Sequence, residues 1–292
     1  MLRNPQRLLR DMIAPPPGMP AVDFAEPAGA GALFAPDSLT WRVMKNPVAL
    51  LAGGISAVIL ELAEPRVRSG VWEHTAFRGD PVRRVRRTGY ATMVTIFAPA
   101  AAARDLIARV NRMHEHVEGI TPAGAPFRAS DPELLNWVQA TASYGFFEAY
   151  HRFARALTAG ERDALYAEGA GPISLYGASG APRSAAEVEA MFAAMRPKLE
   201  RSDVVFEFLD IMRDAQILPS RFVQRLIVRG AVEIAPAWAR DILGLGPEYG
   251  LKPGGASLLR ALGALSERIV LDEAPPAQAC RRLGLPANYL YR

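Results

Sequence analysis

Cysteine is nearly missing from this 292-residue chain, where Cys280 stands alone. One thiol excludes an internal disulfide framework and any CxxC metal site. Histidine is almost as scarce: His74, His114, His116 and His151 are the whole supply, so any imidazole chemistry must use one of four residues. Long hydrophobic runs are also lacking. The longest, Val48–Leu60, is too short to span a bilayer and contains Gly53 and Gly54, so it reads as a buried core helix. Residues 1–13, MLRNPQRLLRDMI, carry four charged side chains and no continuous apolar segment, unlike a secretory signal. The expectation is a cytoplasmic protein without a transmembrane segment. No GxGxxG, GxxxxGK[ST], HExxH or GxSxG motif occurs.

What is present is ordinary globular composition, 50% hydrophobic and 22% charged, which argues against disorder. The net charge of +4 is mild for this length. Strand signals are few and helix signals many. Asp80-Pro81 is an N-cap followed by proline, which opens a helix to about residue 98. Asp131-Pro132 repeats the device and opens a long helix to about Leu157. Ser184 with Glu187 forms a capping box before Val188, Met191 and Phe192. Further helices are expected near 38–46, 48–63, 100–117, 158–168, 203–215, 219–230, 235–243, 255–267 and 275–283. Residues 14–37 are rich in Pro, Gly and Ala and read as an irregular, flexible arm. The reading is a single all-α domain over 38–292, preceded by an extended N-terminal arm over 1–37.

The helix expected from Ala101 to Val117 carries an apolar stripe of Leu106, Ile107, Val110, Met113 and Val117. His114 falls on that stripe, and His116 falls with Arg109 and Arg112 on the charged face. A core-facing imidazole needs a partner. Two readings stand for His114, a hydrogen-bonded structural histidine or a ligand. His151 shares a face with Trp137, Tyr144 and Glu148 and reads as a satisfied histidine. His74 precedes the Asp80 cap and fits either a site contact or a surface position.

Seven arginines, Arg66, Arg68, Arg78, Arg83, Arg84, Arg86 and Arg87, lie within 22 positions. The plain reading is a solvated face paired with Glu73 and Asp80. Few aromatics interleave and acidic residues dilute the charge, so nucleic acid is not expected as a partner. A third reading is a pocket for an anionic group. Arg84 and Thr88 are i, i+4 neighbours that share a helix face, and Arg87 sits one position off it.

Several segments in order resemble the ER-bound oxygenase mpaB and rubber oxygenase family, which includes the latex-clearing proteins. They are Leu50-Leu51-Ala52-Gly53-Gly54, His74-Thr75-Ala76-Phe77, Asp80-Pro81-Val82-Arg83-Arg84 with Thr88, the MHxxVxG run Met113–Gly119, and Phe127-Arg128-Ala129-Ser130-Asp131-Pro132 running on to Trp137. The resemblance covers about residues 45–246. It implies an all-α, globin-like core holding a b-type haem, with His114 as the proximal iron ligand. It implies Arg84 and Thr88 on the other side of the haem. Beside that pair, Arg87 is a candidate cofactor contact and His74 a candidate distal or propionate contact. The implied activity is O2-dependent cleavage of a carbon–carbon double bond in a hydrophobic, isoprenoid-like substrate. Two departures stand out. Where many members have a histidine, this chain has Gln139, and the distal glutamate of the rubber-cleaving members has two candidates, Glu73 and Glu64. The alternatives are a non-catalytic haem-binding sensor or carrier, and a cofactor-free helical interaction protein.

Overall fold

The computed structural model describes residues 14–291. Among them are α1 (Leu39–Met44), α2 (Pro47–Glu61), α3 (Pro65–His74), α4 (Pro81–Phe97), α5 (Ala100–His114), α6 (Pro132–Phe153), α7 (Ala159–Ser174), α8 (Ala185–Met195), α9 (Asp203–Asp214), α10 (Arg221–Ile234), α11 (Ala237–Leu243), α12 (Gly255–Ser266) and α13 (Pro275–Arg282). One antiparallel hairpin, β1 (Glu118–Ile120) and β2 (Pro126–Arg128), lies between α5 and α6. The expected all-α class is what the chain adopts.

The centre is the antiparallel pair α2 and α6. Gly53 meets Phe146, Ala57 meets Gly145, and Glu61 meets Thr141. Backbone lies on backbone at the crossing: a Cβ on Gly53 would fall 2.6 Å from Phe146 Cα. Only glycine permits that approach. Helices α10 and α12 pack against the same pair. α2 starts on the Asn46 cap, whose Oδ1 accepts from Val48 N and Ala49 N, and its apolar sequence is buried along most of its length. Among the described residues no single helix is long and apolar enough to cross a membrane.

The proline-led caps behave as expected. Asp80 accepts from Arg83 N and Asp131 from Glu133 N. Ser184 accepts from Glu187 N, but the Glu187 side chain accepts from Arg183 N and leaves the expected box half made, while Thr158 and Glu161 close a reciprocal box. Helix α3 was not expected, yet it uses the same device, with Glu64 as the cap ahead of Pro65. Glutamate in place of aspartate, and a run with few apolar residues, hid it. The helix expected over 100–117 ends at His114, and Val117 leads into the hairpin. Met113 leaves the expected stripe and is 46% exposed, while His114 beside it is partly buried.

The arm over 14–37 is not loose. Phe24 and Phe34 enter the core, and Tyr90 Oη accepts from Val22 N while donating to Pro20 O. The buried Arg282 guanidinium donates to the carbonyls of Phe24, Ala30 and Phe97. The arginine cluster also pairs differently from expectation. Arg66 meets Glu64 and Glu133 at 2.7 Å, Arg78 meets Glu207 at 2.8 Å, and Arg68 meets Glu200. Asp80 is spent on its cap and Glu73 is exposed.

Candidate active site

Three helix ends and one helix middle supply the site. Arg84 stands in the first turns of α4, where the Asp80-Pro81 start fixes its phase. Its Nη1 donates to Thr88 Oγ1 at 2.7 Å, and Thr88 Oγ1 donates back to the Arg84 carbonyl at 3.2 Å. The guanidinium lies 5.8 Å from the Phe77 ring centroid. His114 is the last residue of α5, Glu61 the last residue of α2, and Thr141 is buried in mid-α6.

Charge ties these groups together. Burial pushes the Glu61 carboxyl up to about 7, although the Arg84 charge and a hydrogen bond with Thr141 pull the other way. Burial also pushes the His114 imidazole below its ordinary value, and Arg84 adds to that fall. The Arg84 guanidinium is itself pushed down by burial, with Glu61 opposing and Arg87 contributing. Among the described residues no ion pair joins Arg84 to Glu61. The two act on each other through their charges. Glu61, Arg84 and His114 each keep some accessible area, yet burial dominates each titration. Thr88, one turn beyond Arg84, is exposed.

The four histidines separate clearly. His116 is exposed, with its Nδ1 2.7 Å from Arg112 O. His151 Nδ1 accepts from Leu157 N at 2.9 Å, so it is the satisfied histidine expected. His74 sits at the exposed end of α3, edge-on to Phe127 at 6.3 Å. No hydrogen bond links it to Arg84 or His114 among the described residues. His114 alone has a buried ring nitrogen, Nδ1, with no hydrogen-bond partner. Arg84 Nε is likewise buried without one. A buried polar atom left unpaired is costly. A polar or metal-bearing ligand would satisfy either atom.

The structure links Arg84 to Thr88 by a hydrogen bond and to His114 and Arg87 through charge, and shows no hydrogen bond from His74 to them among the described residues. It adds Glu61, which the sequence reading passed over. Glu64 is buried but committed, accepting from Val67 N at 2.8 Å and Arg66 Nε at 2.7 Å. The available signal was the position of Glu61, one turn beyond Ala57 on the buried side of an apolar helix. A carboxylate there has to be explained by a partner or by chemistry. Among the described residues no cluster of three or more His, Cys, Asp or Glu side chains could hold a bare ion.

An all-α domain with an interior carboxyl poised near neutrality, a fixed cation and an unpartnered imidazole has the makings of a redox or acid–base enzyme. The chain belongs to the ER-bound oxygenase mpaB/B'/rubber oxygenase catalytic-domain family, whose model matches residues 41–268. That span contains Glu61, Arg84, Thr88, His114 and Thr141, so the site lies inside an oxygenase catalytic domain. No curated protein and no solved structure matches the chain.

Proposed function

We propose that this chain is a haem-dependent oxygenase that cleaves a carbon–carbon double bond in a hydrophobic, isoprenoid-like substrate. The observation that carries the reading is the buried, unpartnered Nδ1 of His114 across from Arg84. A ligating imidazole must be neutral, and burial together with the Arg84 charge keeps this one so. No side-chain cluster on the described residues could complete an iron site, so a macrocycle would have to bring the other ligands. Arg84, with Thr88 and Arg87 beside it, would hold an anionic edge such as a propionate or an oxygen-bearing ligand. When bound, the haem would supply the iron at which dioxygen is activated.

The remaining chemistry falls to the chain's own groups. Glu61 has a pKa of about 7, so it can take or give a proton at neutral pH. Thr141 and Arg84 keep its charged form accessible in a buried setting. The stoichiometry closes without a reductant: one double bond and one O2 give two carbonyl groups.

The test is a visible spectrum of protein made with a haem precursor, beside His114→Ala. The expected result is a Soret band that the variant loses. Wild-type protein that shows no band after haem titration, or a variant with an unchanged band, overturns the ligand assignment. Oxygen uptake with an unsaturated lipid, lost in Glu61→Gln, separates an oxygenase from a haem carrier.

A further inference from the structure

The connection between α3 and α4 carries Phe77, which takes no part in the chemistry proposed above. Phe77 is 5% exposed. Its ring stacks on Trp72 of α3 at 6.1 Å and meets Phe208 of α9 edge-on at 5.3 Å. Both of those rings are buried too, so Phe77 is fixed from two sides. The residue after it is held by the same helix. Arg78 donates to both carboxylate oxygens of Glu207, at 2.8 and 2.9 Å, and its guanidinium lies 5.2 Å from the Trp72 ring centroid. Helix α9 therefore grips two successive residues of the connection, Phe77 through a buried ring and Arg78 through an exposed ion pair.

Arg84 rests on this fixed ring. Its guanidinium lies over Phe77 at 5.8 Å from the centroid, within the range at which a ring face attracts a cation. Few hydrogen bonds hold it otherwise. Of its five N–H donors, one on Nη1 reaches Thr88, and the buried Nε has no partner among the described residues. Thr88 stands on the same helix, so that bond ties the guanidinium to α4 alone. Glu61 pulls on the charge and Arg87 pushes on it. A buried cation with so few hydrogen bonds needs another source of attraction.

We propose that Phe77, backed by Phe208, is a positioning residue that sets where the Arg84 guanidinium stands relative to Glu61. Leucine at position 77 would fill much of the same space and offer no ring face. The freed guanidinium would turn toward water on the exposed Thr88 side, away from Glu61. The proposal rests on reading Arg84 and Glu61 as working groups of the site, and it does not require haem.

The test is an infrared titration of Glu61 in the full chain without added haem. Phe77 is replaced by pentafluorophenylalanine, which keeps the shape of the ring and abolishes its attraction for a cation. Phe77→Leu and Phe208→Leu are read beside it. The coupling of two charges weakens as they separate, so the Glu61 midpoint should rise by roughly half a pH unit or more with either replacement of Phe77. Phe208→Leu, acting through Phe77, should give a smaller rise. In an Arg84→Met background replacing Phe77 should change nothing, because no guanidinium is left to place. An unchanged or lowered midpoint in the fluorinated protein overturns the proposal. So does an equal rise in the Arg84→Met background, which would make Phe77 a packing residue only. The fluorinated ring keeps the core filled, so the result stands even if a leucine variant disturbs folding. With no haem present, failure here leaves the His114 ligand assignment intact, and a missing Soret band leaves this titration intact.

Discussion

Gly53→Ala should force the central helices apart, and Gly54→Ala should not. A Cβ on Gly53 would lie 2.6 Å from Phe146 Cα and 2.7 Å from Gly145 O and Phe146 N. Carbon atoms rest comfortably about 3.5–4.0 Å apart. The helices must therefore separate by roughly 1 Å, because the atoms met are backbone and cannot rotate away. Overpacking costs about 1–3 kcal/mol, and the upper end applies where two long helices and the neighbours packed on them must move together. Alanine's better helix propensity returns about 1 kcal/mol. The net loss is about 2 kcal/mol, and each kcal/mol moves the midpoint by roughly 2–4 °C in a domain of this size. On Gly54 a Cβ would lie 3.7 Å from Phe146 Cε1, an ordinary contact, so that variant keeps the propensity gain. Scanning calorimetry on the two neighbouring variants should give shifts of opposite sign. The first substitution should also disturb the site, because α2 carries Glu61 two turns on and α6 carries Thr141 one turn back. An infrared titration of Glu61 reads that effect. A Gly53→Ala protein that melts at or above wild type would refute the close crossing.

Glu61→Gln should stabilise the protein in a pH-dependent way. The folded pKa of about 7 lies above the ordinary value of 4.5, so the stability contributed by protonated Glu61 is full below 4.5 and lost as pH rises through 7. The variant's advantage should grow across that window to at most about 3 kcal/mol and then level off, as urea unfolding at several pH values will show; an advantage that shrinks with rising pH contradicts the burial argument. Arg84→Met should raise the titration midpoints of both Glu61 and His114, since the same positive charge lowers both. Infrared and imidazole NMR titrations would expose the error if either moved down. Arg282→Met removes the donors to Phe24, Ala30 and Phe97 and leaves buried carbonyls unpaired, for a loss of about 3 kcal/mol. Limited proteolysis should then cut between residues 20 and 34, and an arm as resistant as in wild type would mean that Arg282 does not hold it.

Part of the site could be read without coordinates. The i, i+4 spacing of Arg84 and Thr88 already implies their contact, which is local to one helix. The stripe on α5 turns His114 inward and His116 outward, and both side chains are so placed. The same stripe put Met113 inside, and it is outside. Glu61 could not be joined to the site by pattern alone. Its tie to Arg84 links the end of α2 to the start of α4, 23 residues on, and its tie to Thr141 reaches α6, 80 residues on.

The sequence by itself determined the helical class and most helix starts. Proline after a capping residue acts within a few bonds, and 3.6-residue spacing acts within one helix. It also determined which histidine turns inward. Only the tertiary structure decided which carboxylate interacts with Arg84, and that the proline-rich arm is pinned by Arg282. Those outcomes depend on which helix ends converge and on how closely backbones approach at Gly53 and Gly145. That approach is a balance of packing among residues far apart in the chain, which no local pattern encodes.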